Sequence, residues 1–130
     1  MGMIILKKKM KMIKVIIAGG RDLVVAPEHI DFIDKKLNLT DDKIGNYQFV
    51  TGMANGADQI PYFYERLGYS IKEFPANWIR YGDGAGHKRN KQMAEYADML
   101  IAFWNGHSRG TGNMIRIAGV YDLKIIKELY

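Results

Sequence analysis

The sequence predicts an α/β fold, a three-layer α/β/α sandwich with a five-stranded parallel sheet in the middle. Apolar runs without polar alternation recur along the chain, and the clearest covers residues 99–104. Such runs are typical of strands that are buried on both faces of a parallel sheet. Helical patterns separate the runs, so the predicted order is β-α-β-α-β-α-β-α-β. Right-handed crossovers then favour a Rossmann-like strand order of 3-2-1-4-5.

Length and composition fit one domain, predicted over residues 13–130 after a Lys/Met-rich extension over 1–12. The chain has 130 residues, of which 48% are apolar and 25% charged, which is ordinary for a soluble domain. The formal charge is +5, and five lysines among the first fourteen residues account for it. The extension is either a frayed leader or short extra strand, or a tether that attracts polyanions. The near-neutral remainder argues against a uniform nucleic-acid-binding face.

Two classes of site are not expected. The chain has no cysteine, which excludes disulfides and Cys-based zinc sites, and its three histidines are not closely spaced, so no metal site is expected. The apolar patch over residues 3–6 is too short for a signal sequence or a membrane span. We therefore expect a cytoplasmic protein without a membrane partner.

The first strand covers residues 14–18, and Pro27 begins a helix with apolar residues at helical spacing. The turn between them starts with Gly19 and Gly20. Two glycines after a strand let the backbone approach a ligand closely, although a bare strand-to-helix turn also favours glycine.

A second glycine-rich turn, residues 52–58, follows the second strand at 47–51. It opens a helix in which Pro61 must lie near the first turn and which Gly68 ends. Asp58 is either a first-turn residue that matches the helix dipole, or an acceptor for ribose hydroxyls or an acid/base group.

The third strand, residues 70–74, leads into a long loop over residues 75–86 that contains Trp78. Loops of this length in small domains are often binding loops or lids. The tryptophan either stacks on a base or plugs the edge of the core.

The last part of the chain repeats the pattern. A polar helix over residues 87–97 precedes the strand at 99–104, and a turn-rich loop over 105–112 ends in Gly-Thr-Gly before the last helix. A fifth strand covers residues 123–126. A strand, a glycine-rich loop and a helix start together form a typical phosphate site, because the first N–H groups of the helix point at the anion.

All three glycine-rich loops follow strands and are therefore expected at the same edge of the sheet. Ligands of such sheets bind beyond the carboxyl ends of the strands, at the point where the strand order reverses. Here that point lies between strands 1 and 4.

With these residues placed, the chain resembles the SLOG superfamily of Rossmann-like nucleotide-binding domains, especially its small branch related to YspA and YpsA. The resemblance implies a ligand that is a nucleotide or nucleotide derivative, including relatives of ADP-ribose, no required cofactor, and a homo-oligomer. The matching motifs are VIIAGGRD at 15–22, TGMANGAD at 51–58, FPANW at 74–78, AGHKRNKQMAEYAD at 85–98 and AFWNGHSRGTG at 102–112.

Two related groups sharpen this expectation. The LOG-type phosphoribohydrolases carry an H-x-R-K motif, which residues 87–90 resemble, with Arg89 at the place of the catalytic arginine. Their second motif, P-G-G-x-G-T-x-x-E, resembles residues 108–111, but the catalytic glutamate is missing from residues 112–115. LOG-type cleavage is therefore not expected. DprA shares the Arg-Asn pair and binds single-stranded DNA.

We expect one pocket for a phosphate and a ribose, in a sensor or binding module. Arg21, Arg89 and Arg109 would neutralise the phosphate, because a guanidinium fork suits two of its oxygens. Asp58 or Asn90 would hold ribose hydroxyls, and the tryptophan of the long loop would cover the base. The candidate ligand-binding residues are Gly19, Gly20, Arg21, Asp22, Gly52, Ala54, Gly56, Ala57, Asp58, Trp78, Arg89, Asn90, Ser108, Arg109, Gly110, Thr111 and Gly112.

Two alternatives remain open. One is a hydrolase that cleaves an N-glycosidic or phosphoester bond in a nucleotide, with Asp58 and Arg89 as catalytic candidates and Asp22 and Glu95 as weaker acidic ones. The other, less favoured, is a DprA-like binder of single-stranded nucleic acid that uses Trp78 and Tyr81 for stacking.

Overall fold

A single parallel sheet runs through the computed structural model, which describes residues 11–130. The strands lie in the order β3-β2-β1-β4-β5, and every neighbouring pair is parallel. This confirms the predicted α/β class and the order 3-2-1-4-5, with the reversal between β1 and β4, and it is consistent with a Rossmann-like fold. The strands are β1 (Ile13–Gly19), β2 (Tyr47–Thr51), β3 (Ser70–Glu73), β4 (Met99–Trp104) and β5 (Lys124–Leu129).

Helices and short 3-10 turns connect the strands. The 3-10 turns are Asp41–Asn46, Gly56–Gln59 and Gly82–Gly84. The α-helices are α1 (Pro27–Leu37), α2 (Ile60–Arg66), α3 (Trp78–Tyr81), α4 (Ala85–Tyr96) and α5 (Arg109–Val120).

Two segments differ from the sequence-based prediction. The stretch predicted as a loop over 75–86 contains α3, because Asn77 Oδ1 accepts the Arg80 N–H at 3.0 Å and so caps a helical turn. β5 continues to Leu129 because it pairs with β4 as far as Trp104. Of the predicted extension over 1–12, residues 1–10 lie outside the described part of the chain.

The two faces of the sheet carry separate hydrophobic cores. Neighbouring residues of a strand point to opposite faces. Accordingly, Ile17 packs with residues of α1 and α2, whereas Ile16 packs with residues of α4 and α5. Both side chains are fully buried, as expected for the central strand of a sheet that is covered on both sides.

Local capping explains where α1 begins and ends. Pro27 occupies the first turn, where its missing N–H removes no helical hydrogen bond. His29 Nδ1 accepts the Ala26 N–H at 2.9 Å, and Asn38 ends the helix in the left-handed conformation with φ 52°.

Within the described residues, no helix is both long and apolar enough to cross a membrane.

Gly56 joins the first two glycine-rich turns. Its φ is 74°, a conformation that side chains disfavour. A Cβ at this position would overlap the Gly20 carbonyl oxygen and come within 2.9 Å of Arg21 Cα. The neighbouring Ala57 N–H donates to that same carbonyl oxygen at 3.4 Å. The turn after β2 therefore packs directly on the turn after β1.

We predict that Gly56→Ala lowers the free energy of unfolding by about 2–4 kcal/mol, because it adds left-handed strain to a steric overlap. The matched control is Gly45→Ala, where no atom lies within 4 Å of the added carbon and φ is not positive. That variant should be neutral or slightly stabilising. Urea unfolding of the two variants measures the difference, and equal stabilities would contradict the packing of the two turns.

Candidate functional site

A cavity of about 480 Å³ opens at the carboxyl edge of the sheet, where β1 and β4 end. Gly19 and Gly20 contribute the β1 side of its lining, and Asn105 and Ser108 contribute the β4 side. The cavity therefore lies at the reversal of the strand order, the usual ligand position in such sheets.

Most of the residues selected from the sequence line this one cavity, although they come from different segments of the chain. Those brought together are Gly19, Gly20, Arg21, Asp22, Ala54, Asp58, Trp78, Arg89, Asn90, Ser108, Gly110 and Thr111.

The other selected residues lie behind or beside the cavity. Gly52 contacts the Arg89 guanidinium, and a Cβ there would lie 2.7 Å from Cζ. A Cβ on Gly112 would lie 3.3 Å from the Trp104 ring. Arg109 is exposed in the first turn of α5. The residues outside the cavity lining are Gly52, Gly56, Ala57, Arg109 and Gly112.

Arg89 of α4 connects the helix to the turn after β2. Its Nη1 donates to the Gly52 carbonyl oxygen, and its Nε donates to Asn90 Oδ1 at 3.0 Å. Burial and the nearby charge of Arg21 lower the pKa of Arg89, while the Asp58 carboxylate opposes this effect. The guanidinium nevertheless stays charged at any ordinary pH. Half-buried at the cavity wall, it is a fixed positive charge.

Asn90 extends this connection to α5. Its side chain is buried, with Nδ2 donating to Asn113 Oδ1 at 3.0 Å and to the Gly110 carbonyl oxygen at 3.3 Å. A buried amide needs such partners, since an unpaired polar group costs about 1–3 kcal/mol. The Asn90 side chain therefore holds the first turn of α5 beside α4.

The start of α5 lines the cavity through Ser108, Gly110 and Thr111. Asn105 Oδ1 accepts the N–H groups of His107 and Ser108, both at 2.8 Å, and this turns the chain after β4. Ser108 then caps the helix, because its Oγ accepts the Thr111 N–H at 3.5 Å. Gly110 therefore lies in the first helical turn rather than in a preceding loop, where an α-helix offers its N–H no acceptor.

Asp58 is a buried carboxylate at the cavity, 6% exposed. Burial raises its pKa to about 6, although the charge of Arg89, the Ala54 N–H, the charge of Arg21 and the Gly19 N–H all favour the ionised form. The Ala54 N–H lies 3.3 Å from Oδ2. A carboxyl group with this pKa can both donate and accept a proton near neutral pH.

Several cavity residues were missed by sequence reasoning. Asp83 lies in a 3-10 turn inside the stretch predicted as a loop, where the sequence carries no signal for it. His87 precedes Asn90 by three residues on α4, so helical spacing places both on one face, and this signal was available. Asn105 directly follows a strand, a position where asparagine often forms turns.

Tyr130, which directly follows the edge strand β5, contacts the turn after β1. Its hydroxyl donates to Asp22 Oδ1 at 2.8 Å and lies close to Gly20. Burial and this hydrogen bond raise the pKa of Tyr130 to about 12. The tyrosine therefore holds one of the acidic side chains at the cavity.

The charges around the cavity are mixed. Arg21 and Arg89 are positive, and Asp22, Asp58 and Asp83 are acidic. Among residues 11–130, no group of three His, Cys, Asp or Glu side chains is arranged to hold a metal ion. An anionic group of a ligand can thus bind beside the arginines. Hydroxyl groups of the same ligand can donate hydrogen bonds to the carboxylates.

Comparisons of the chain with protein-family models, with curated proteins and with solved structures found no match.

We predict that Asp58→Asn is more stable than the wild type at pH 8. The folded-state pKa of about 6 exceeds the ordinary 3.8, so the folded protein binds this proton more tightly than the unfolded chain. The contribution of this carboxyl group to the free energy of unfolding is therefore fully present below pH 4, and it is lost as the pH rises through 6. Two pKa units correspond to about 3 kcal/mol, the upper limit of the expected gain.

Urea unfolding at pH 4, 6 and 8 measures this gain, which should shrink towards zero at pH 4. The control is Asp31→Asn, an exposed carboxylate on α1. A destabilised Asp58→Asn at pH 8 would show that the ionised carboxylate stabilises the fold.

Proposed function

We propose that the protein binds a nucleotide or nucleotide derivative, such as a relative of ADP-ribose, and acts as a sensor or binding module. The observation that carries the proposal is the composition of one cavity at the sheet reversal. Glycine backbone, a helix N-terminus and two arginines meet there with carboxylates and an amide. The resemblance of the motifs to the SLOG superfamily supports the same proposal.

The phosphate is assigned to the side of the cavity formed by Gly20 and the first turn of α5. The N–H groups of a helix start attract anions through both hydrogen bonds and the helix dipole. Arg21 and Arg89 line the same cavity and add two positive charges. Gly20 lines this side as well, but its N–H donates to the Phe103 carbonyl oxygen at 3.3 Å, so the backbone donors assigned to the phosphate are those of the first turn of α5.

The ribose is assigned to the carboxylates and amides. Asp58 and Asp22 accept hydrogen bonds, and a ribose offers hydroxyl donors. A bare phosphate or a polyanion would gain nothing from these acidic groups, which would repel it. The mixture of charges therefore favours a sugar phosphate over inorganic anions and over nucleic acid.

A hydrolase is the second candidate function, and the pKa of Asp58 is the observation that favours it. A buried carboxyl group with a pKa of about 6, close to Arg89, fits a general acid or base at neutral pH. The bond cleaved would be N-glycosidic or phosphoester. The glutamate of the LOG motif has no counterpart at residues 112–115, so Asp58 would be the acidic group involved.

We predict that Arg21→Ala and Arg89→Ala each weaken binding of AMP or ADP-ribose by about 1.5–3 kcal/mol, the range for hydrogen bonds to charged groups. Arg116→Ala, an exposed arginine of α5 outside the cavity, is the matched control and should bind like the wild type. Isothermal calorimetry measures all four proteins. Because Arg89 also holds Gly52, its variant needs a melting curve beside it, whereas the side chain of Arg21 is exposed. Unchanged affinity in both variants would refute the phosphate assignment.

Incubation with AMP and ADP-ribose distinguishes the two candidate functions. If the protein is a binding module, the ligand should raise its melting temperature. The incubation should then release no free base, ribose phosphate or inorganic phosphate. Chromatography of the reaction detects each product. Turnover that is lost in Asp58→Asn would replace the binding proposal with the hydrolase.

A further inference from the structure

A second, smaller cavity adjoins the main one. Its volume is about 190 Å³, and it shares Arg21, Ala54, Trp78 and Arg89 with the main cavity. An ordinary small-molecule site has about 300 Å³ or more, so this slot suits one part of a ligand rather than a whole one. Because the two cavities share their arginines, one ligand can occupy both.

Met53 lines only the smaller of these two cavities. Its φ is 66°, in the left-handed region that residues with a side chain rarely adopt. Two hydrogen bonds of Thr51 stabilise this conformation. Its Oγ1 accepts the Met53 N–H at 3.0 Å and donates to the Asp58 carbonyl oxygen at 2.6 Å. Backbone strain of this kind gathers at functional sites. Met53 is also 41% exposed, so its side chain contributes little to the core.

Trp78 and Pro75 contribute further apolar surface to the slot. Trp78 is 51% exposed, and a Cβ added to Gly86 of α4 would lie 3.6 Å from its ring. The cap of α3 by Asn77 fixes the helix that carries it. The slot therefore combines an indole ring, a thioether and a proline with two guanidinium groups.

We propose that the slot between Met53 and Trp78 binds the base of the nucleotide whose phosphate and ribose occupy the main cavity. This assignment rests on the proposed function. Indole rings stack on bases of any sequence, and thioethers contact aromatic rings favourably. Arg21, Arg89 and Trp78 line both cavities, so a ligand that occupies both would contact all three.

Calorimetry with AMP and with ribose 5-phosphate tests the assignment, since the two probes differ by the base. The wild type should bind AMP about 5–150-fold more tightly, the range for one stacked base. Met53→Gly and Trp78→Ala should bind AMP several-fold more weakly. Met53→Gly should bind ribose 5-phosphate as the wild type does, because Met53 lines only the slot. Met53→Gly should also keep its melting temperature, because relief of left-handed strain offsets the flexibility of glycine.

Asn38→Gly is the matched control, since it replaces another left-handed residue, with φ 52°, at the end of α1. It should bind both probes like the wild type. Full AMP affinity in Met53→Gly and Trp78→Ala would overturn the base slot and leave the phosphate and ribose site intact. Equal affinity of the wild type for AMP and ribose 5-phosphate would also overturn the base slot. Failure of both probes to bind the wild type would overturn this assignment together with the proposed function.

Discussion

The guanidinium of Arg89 is the interaction on which the site depends. It connects the carbonyl oxygen of Gly52, after β2, to Asn90 on α4, and Asn90 in turn holds Gly110 and Asn113 of α5. The connection therefore joins the sheet edge to both helices of one layer. It also explains the glycine at position 52, where a side chain would displace the guanidinium. The guanidinium therefore links the turn after β2, through Asn90, to the start of α5.

The same charge makes a buried carboxyl group tolerable. Asp58 lies in a site that disfavours its ionised form, and the field of Arg89 recovers part of the cost. A chain selected for stability alone would carry an uncharged residue there, since an unexploited buried charge weakens the fold. The left-handed backbone of Met53, five residues before Asp58, is a second feature that costs conformational free energy. Two such costs beside one cavity are the pattern expected where a site is built at the expense of stability.

Much of the fold followed from the sequence, because buried parallel strands leave uninterrupted apolar runs and crossovers have one hand. These two facts leave few topologies, of which the observed order 3-2-1-4-5 was the favoured one, and the position of the cavity follows from that order. The roles of the individual glycines, by contrast, did not follow from the sequence. Gly19 and Gly20 line the cavity, but a Cβ on either residue would also overlap protein atoms, as it would on Gly52 and Gly56. A glycine that packs against the chain and a glycine that faces a ligand both lack a Cβ, so sequence alone cannot distinguish the two roles. Asp83 was missed because its Gly-Asp-Gly turn carries no periodic pattern that would place it at the cavity.

A nuclear magnetic resonance titration tests the central claim most directly, since it reports on each backbone N–H of this 14.9 kDa chain. Adding ADP-ribose to the ¹⁵N-labelled protein should shift the amide signals of Gly20, Ala54, Gly110 and Thr111 together. Signals of α1 and of the exposed face of α2 should stay in place. The account predicts shifts that saturate with one ligand per chain and cluster at the carboxyl ends of β1 and β4. Saturating shifts that cluster elsewhere, or no shift at millimolar ligand, would contradict it.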